Sequence, residues 1–205
     1  MRRIVILAIA ALMVTAGNAM ADSIAGRLGV SGKLGATAPL KDDLIAGTSD
    51  IKAGFSGGGG LIYGFGENGA VDLEVFHMPQ LDVETGGVKT YEASITDIAL
   101  GLQFRFSSAS RMVPYIGLGP DFIRGNLRHV NGAGYKLDWT YGGHINVGFD
   151  WFVTRGVAMT ADVRGVCAAD GDVKSGSTNV SEYSPRWFQG TVGVRLMLPE
   201  KFWSR

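Results

Sequence analysis

The chain of 205 residues has a single cysteine, Cys167, so no disulfide can form within it. No thiol-activating motif surrounds Cys167, which reads as a small apolar filler rather than a nucleophile. Net charge is absent: 19 Lys and Arg offset 19 Asp and Glu. A chain without a basic excess is a poor partner for nucleic acid. Proline is scarce, at 6 residues, and the glycines follow no Gly-X-Y period, which excludes collagen and plain disorder. After the N-terminal segment no apolar run approaches the length of a transmembrane helix. If this chain crosses a membrane, it does so as strands.

The N-terminus decides how the rest is read. Arg2 and Arg3 give a positive start, residues 4–13 are a short apolar run, and Ala19-Met20-Ala21 supplies the small–x–small pattern of a signal-peptidase site. The expectation is a signal peptide over residues 1–21, cleaved before Asp22, with a retained N-terminal anchor as the alternative. No cysteine follows the cut, which argues against a lipid-anchored mature end. Without Arg2 and Arg3 the basic residues fall from 19 to 17 against 19 acidic ones. The remaining length suits one domain, expected over residues 22–198 with a short tail at 199–205.

What is abundant is glycine, 31 residues, about twice average usage. It is mixed with segments in which apolar residues recur at every second position, the pattern of membrane barrel strands. Eight such segments are expected, at 24–35, 54–65, 70–77, 94–106, 113–124, 141–153, 157–167 and 186–198. In the last, Phe188, Val192, Val194, Leu196 and Leu198 share one face, and Gln189, Thr191, Gly193 and Arg195 the other. The connections alternate in length. Short ones fall at 66–69, which contains Asn68-Gly69, and at 107–112 and 154–156; long ones fall at 36–53, 78–93, 125–138 and 168–185. Short inner turns and long outer loops are the rule of outer-membrane barrels. The predicted fold is an all-β, eight-stranded antiparallel up-and-down transmembrane barrel in the cell outer membrane, with short periplasmic turns and long extracellular loops.

The two faces indicate the solvent. A soluble barrel is polar outside and apolar within, whereas here the apolar faces carry almost no charge. The inward set holds Arg27, Lys33, Arg105, Arg164 and Arg195 against Asp72, Glu74, Asp97, Asp121, Asp150 and Asp162. Eight strands enclose a lumen that side chains can fill, and buried charges persist when paired. The expectation is an interlocked charge network rather than a catalytic centre. Aromatic residues gather towards predicted strand ends: Phe104, Phe106, Phe149, Trp151 and Phe152 near the periplasmic ends, and Phe55, Phe76, Phe122, Trp139, Trp187 and Phe188 near the outward ends. Such bands suit interfacial girdles.

Family resemblance rests on the C-terminal half. Pro114-Tyr115-Ile116-Gly117-Leu118-Gly119 resembles the Pro-Tyr-x-Gly-x-Gly strand of small outer-membrane barrels. Residues 143–164, through Gly148-Phe149-Asp150-Trp151 and Asp162-Val163-Arg164, resemble the Gly-x-Asp-Tyr strand and the following Asp-x-Arg strand of the OmpW family. Ser184-Pro185-Arg186-Trp187, leading into Gly-x-Gly-x-Arg, is similar too. The resemblance spans about residues 95–198 and implies a narrow route for small hydrophobic molecules, bound in the outward half and released sideways. Phe55, Phe76, Phe122, Trp139 and Trp187 are its candidate mouth, with interfacial anchoring as their alternative role. It implies as partners outer-membrane lipid and lipopolysaccharide, the barrel-assembly machinery and small hydrophobic ligands. One departure stands out. Such barrels finish on an aromatic residue read during assembly, whereas this chain runs on past Leu198. Phe202 or Trp203 stands in for it, or the tail is a periplasmic extension.

Other motifs carry less. Gly64-Phe65-Gly66-Glu67-Asn68-Gly69 has the form of a dinucleotide loop but precedes a strand rather than a helix. Gly57 to Gly60 lacks a following Gly-Lys-Ser/Thr, and Asp170-Gly171-Asp172 lacks the closing glutamate of a calcium loop. His77, His129 and His144 lie in separate segments, so neither a catalytic site nor a metal or cofactor is expected. The alternative functions are a non-transporting surface barrel serving envelope integrity or adhesion and, more remotely, a lipid-modifying enzyme.

Overall fold

The computed structural model describes residues 24–40, 50–106, 110–176 and 178–199. The expected signal peptide and the tail residues Phe202 and Trp203 lie outside them. Eight long strands form the wall: β1 (Leu28–Pro39), β3 (Gly54–Gly64), β4 (Gly69–Thr85), β5 (Val88–Arg105), β6 (Met112–His129), β7 (Gly134–Thr154), β8 (Val157–Ala168) and β11 (Arg186–Met197). Each pairs antiparallel with the next, and β1 pairs with β11 from Gly29↔Met197 to Pro39↔Trp187. That last ladder closes the barrel, so no wall strand is left with an open edge. Three short strands complete the sheet: β2 (Asp50–Ile51) on β4, and the hairpin β9 (Gly171–Ser175) with β10 (Thr178–Tyr183), which joins β7.

The eight expected strands are all present, but several are longer and one is displaced. β1 begins at Leu28 rather than Ile24 because Gly26 adopts a left-handed φ of 71° and its N–H donates to the Gly64 carbonyl. The resulting turn carries Ile24 inside, although its parity places it with the outward Val30 and Leu34.

The larger difference lies in the expected long loops, which are mostly strand. Residues 78–93 form one continuous hairpin that reverses at Gly86-Gly87, with φ of 62° and 79°. Two successive positive φ values are what a tight reversal between twisted strands requires. The β6–β7 hairpin closes through His129 N–H donating to the Ala133 carbonyl, with Gly132 at φ 98°. By contrast, neither Asn68 nor Gly69 has a positive φ. The Asn68 side chain instead donates to the Arg105 carbonyl at 2.6 Å, tying the turn to β5.

Polarity changes phase along the wall. In the lower part of β5, Leu100, Leu102 and Phe104 face out while Gln103 and Arg105 face in. In the upper part of the same strand Ala93 and Ile95 face in, with Ser94 and Thr96 outward. The alternation persists, but the solvent on each side has changed. Apolar side chains point outward where the wall meets hydrocarbon and inward where it rises into water.

Candidate functional site: the barrel lumen

The lumen is stacked in three tiers. At the end that carries the short turns, Ile24, Ile62, Ala70, Val113, Phe152, Ala158 and Met197 form a small apolar plug. Phe152, expected in a girdle, belongs to this plug because it shares parity with Asp150. Arg27 lies at the rim, donating to the carbonyls of Arg155 (2.9 Å) and Leu198 (3.2 Å) rather than to a carboxylate.

The middle tier is charged. Lys33 Nζ lies 2.6 Å from both Glu74 and Asp162. Asp162 also accepts from Thr191 (2.9 Å) and from the Tyr115 hydroxyl (3.1 Å). Asp150 binds Arg105 at 2.6 Å and also Arg195. Arg105 and Arg195 both pack against the Tyr115 ring, at 5.5 and 5.7 Å from its centroid. Arg105 reaches Gln103, which donates to Asp72 at 2.5 Å. Arg164 lies 3.7 Å from Glu74 and Asp97 and 3.3 Å from His144, whose Nδ1 is 2.9 Å from Asp121. The eleven charged residues expected inside are all buried; ten of them form this waist and Arg27 sits below it. The ions hold one another in register because a carboxylate or guanidinium stripped of water is stable only beside its partners.

Glycine makes room for the waist. A Cβ on Gly58 would stand 2.3 Å from the Val75 carbonyl oxygen and 2.6 Å from the Phe76 ring. One on Gly60 would press on the Leu73 carbonyl and on Glu74. These inward positions of β3 are where β4 delivers Glu74 and Phe76, so larger residues would displace the network.

Above the waist lies an apolar tier that includes Met78, Leu81, Val83, Ile95, Ile123, Leu127, Val173, Tyr183 and Trp187. It fills the part of the barrel whose outside is polar, and it is the core of the upper extension.

The five aromatic residues expected at a mouth divide between the two sides of the wall. Phe76 is 1 % exposed and inside the waist, its ring under Arg164 at 5.2 Å and Lys33 at 5.9 Å. Trp187 is 2 % exposed and packs in the upper tier. Phe55, Phe122 and Trp139 instead lie on the outer surface, so these three line no mouth; each occupies the outward parity of its strand. Tyr141, at 71 % exposure the most open large residue of this band, joins them. Cys167 also faces outward, near the top of β8, rather than filling the interior. Tyr115, which the alternation of β6 places on the inward face with Asp121, is the hub of the lower waist, a role that the charged set alone does not reveal.

The histidines lie apart. His77 Nδ1 is 3.0 Å from Thr96 Oγ1 on the outer wall, and His129 meets the Tyr91 ring edge-on at 4.7 Å. His144 is the waist residue beside Asp121. Among the described residues no group of three or more His, Cys, Asp or Glu is arranged to hold a metal ion.

The architecture has known counterparts. The chain is similar in structure to Neisserial surface protein A, with a TM-score of 0.62 and 16 % identity over 84 % of this chain and 97 % of that one. It is likewise similar to OprG from Pseudomonas aeruginosa, with TM-score 0.61, 16 % identity, and 88 % and 99 % of the two chains covered. The outer membrane protein AlkL matches at TM-score 0.58 and 18 % identity over 89 % and 94 %. No curated protein is similar to it in sequence. The outer membrane protein β-barrel domain profile matches residues 6–203. Closed wall, apolar belt and profile agree, and the chain belongs to the outer-membrane β-barrel family as a small eight-stranded member.

Proposed function

We propose that this barrel admits small hydrophobic molecules to the upper lumen and passes them sideways into the bilayer. The observation that carries the reading is the vertical order of the lumen: an apolar tier stands directly on a packed, charged waist. An apolar solute lowers its free energy on leaving water for the upper tier and would raise it again among the ions below. Sideways release therefore costs less than downward passage. The wall offers a weak seam for it just above the upper edge of the apolar belt, where a solute leaving the upper tier would enter the bilayer from the headgroup side. The β3–β4 ladder stops at Gly57↔His77, and β2 takes over only at Ile51↔Val83. Between them stands Pro79, which has no N–H to give to a neighbouring strand. Export through a signal peptide cut after Ala21 belongs to the same reading.

One observation favours a non-transporting surface barrel instead: the upper tier is itself closely packed, with Met78, Val83 and Ile123 fully buried. Expression in Gram-negative cells with an intact lipopolysaccharide leaflet separates the two. Transport predicts faster uptake of a small apolar fluorophore with no added sensitivity to small hydrophilic antibiotics. Ala93→Trp, which fills the upper tier, should abolish the gain while the protein stays folded. A folded wild type that gives no gain supports the surface barrel and refutes uptake.

A further inference from the structure

On the outer wall the apolar belt ends abruptly at one row. Val75, Ile98, Phe122 and Tyr141 are paired side by side across β4 to β7. One step higher the row reads His77, Thr96 and Arg124, also paired in sequence. Above that boundary lies a recess of about 480 Å³ lined by His77, Thr96, Arg124, Asn126, Lys136 and Trp139, among others. The Arg124 guanidinium stacks on the Trp139 ring at 5.1 Å from its centroid. Stacking holds the group by its face and leaves its in-plane N–H donors open. Asp138 also lines the recess, but its carboxylate is neutralised by Lys174. Neither Arg124 nor Lys136 has a carboxylate partner among the described residues, so the recess keeps two uncompensated positive charges.

We propose that this recess binds the phosphate-bearing headgroup of an outer-leaflet glycolipid, whose acyl chains lie down the Val75–Tyr141 belt beneath it. The charges select an anion, and the guanidinium fork suits phosphate oxygens. Continuity with the lipid-facing belt selects a lipid over a free ion: a soluble phosphate would gain only the upper half of the site. Trp139 and Tyr141 sit at headgroup level, where amphipathic rings settle. The site lies outside the lumen and does not depend on the uptake reading.

The test uses the refolded full-length barrel in phosphatidylcholine nanodiscs doped with bisphosphorylated lipid A or with the same lipid after phosphate removal. Lipid retained per barrel through a detergent wash is counted by mass spectrometry. The wild type should retain the phosphorylated lipid about tenfold better than the dephosphorylated one, the difference of one charge-assisted hydrogen bond. Arg124→Gln/Lys136→Gln should lose that preference, while Arg128→Gln, on the same strand outside the recess, should keep it. Inorganic phosphate at millimolar concentration should not displace the lipid. Equal retention of the two lipids by the wild type overturns the proposal without recourse to any variant. So does undiminished preference in the double variant, and displacement by inorganic phosphate would show a simple anion site in place of a lipid site.

Discussion

Replacing Asp150 by alanine should be among the most damaging single changes in this barrel. Its carboxylate is 0 % exposed and is the shared partner of Arg105, at 2.6 Å, and Arg195. Both guanidinium groups are buried, one on each contact with the Tyr115 ring. Removing one member of a buried pair costs about 3–5 kcal/mol because the other charge is left uncompensated. Here two cations are left, so the loss belongs at the upper end, about 5 kcal/mol, or between three and four powers of ten in the folding equilibrium. Asp150→Asn keeps an acceptor oxygen but likewise leaves both cations without a counter-charge, and should cost nearly as much, about 3–5 kcal/mol. Adding Arg195→Met to Asp150→Ala removes one orphaned cation and should restore part of the loss. Equilibrium urea unfolding in phosphatidylcholine vesicles, followed by tryptophan fluorescence, measures all three. If Asp150→Ala unfolds within about 1 kcal/mol of the wild type, water reaches the waist, and a closed ionic tier is the wrong description.

Two further outcomes follow from geometry. Gly58→Ala forces a Cβ against the Val75 carbonyl and the Phe76 ring and should cost about 1–3 kcal/mol, whereas Gly190→Ala meets nothing within 4 Å and should stay within about 0.5 kcal/mol in the same urea titration. On the β4–β5 hairpin above the belt, hydrogen bonding to Asp82 and then Glu92 raises the Lys89 ammonium above its ordinary value of 10.5. A raised lysine stabilises the fold at every pH below 10.5, and the contribution fades only as pH climbs through the folded value. An NMR titration of Lys89 should therefore find its midpoint above 10.5, and a midpoint at or below it would remove the ion pair from the hairpin.

The lower wall was legible in the sequence because its chemistry is simple. Leu100, Leu102 and Phe104 alternate with Gln103 and Arg105, and period 2 with one apolar side needs no tertiary knowledge. The same rule finds the charged lumen. It fails above Asp97, where inward positions become Ile95 and Ala93 and outward ones Thr96 and Ser94. Continuous strand then looks like a loss of pattern, and the hairpin reversing at Gly86-Gly87 passes for a loop. Parity also explains the divided aromatic set. Phe76 shares its face with Asp72 and Glu74 and therefore points inward, whatever its distance from the strand end. The Tyr115 contacts with Arg105 and Arg195 join β6, β5 and β11, a juxtaposition that exists only once the barrel closes.

The outward faces of the eight wall strands meet lipid over their lower, apolar part. Electrophoretic mobility of the outer-membrane fraction, compared with and without boiling, tests this directly. The closed barrel predicts that the protein is found in that fraction and that the unboiled band migrates apart from the boiled one. A protein recovered from the soluble periplasm, with one mobility under both conditions, would contradict a lipid-facing barrel.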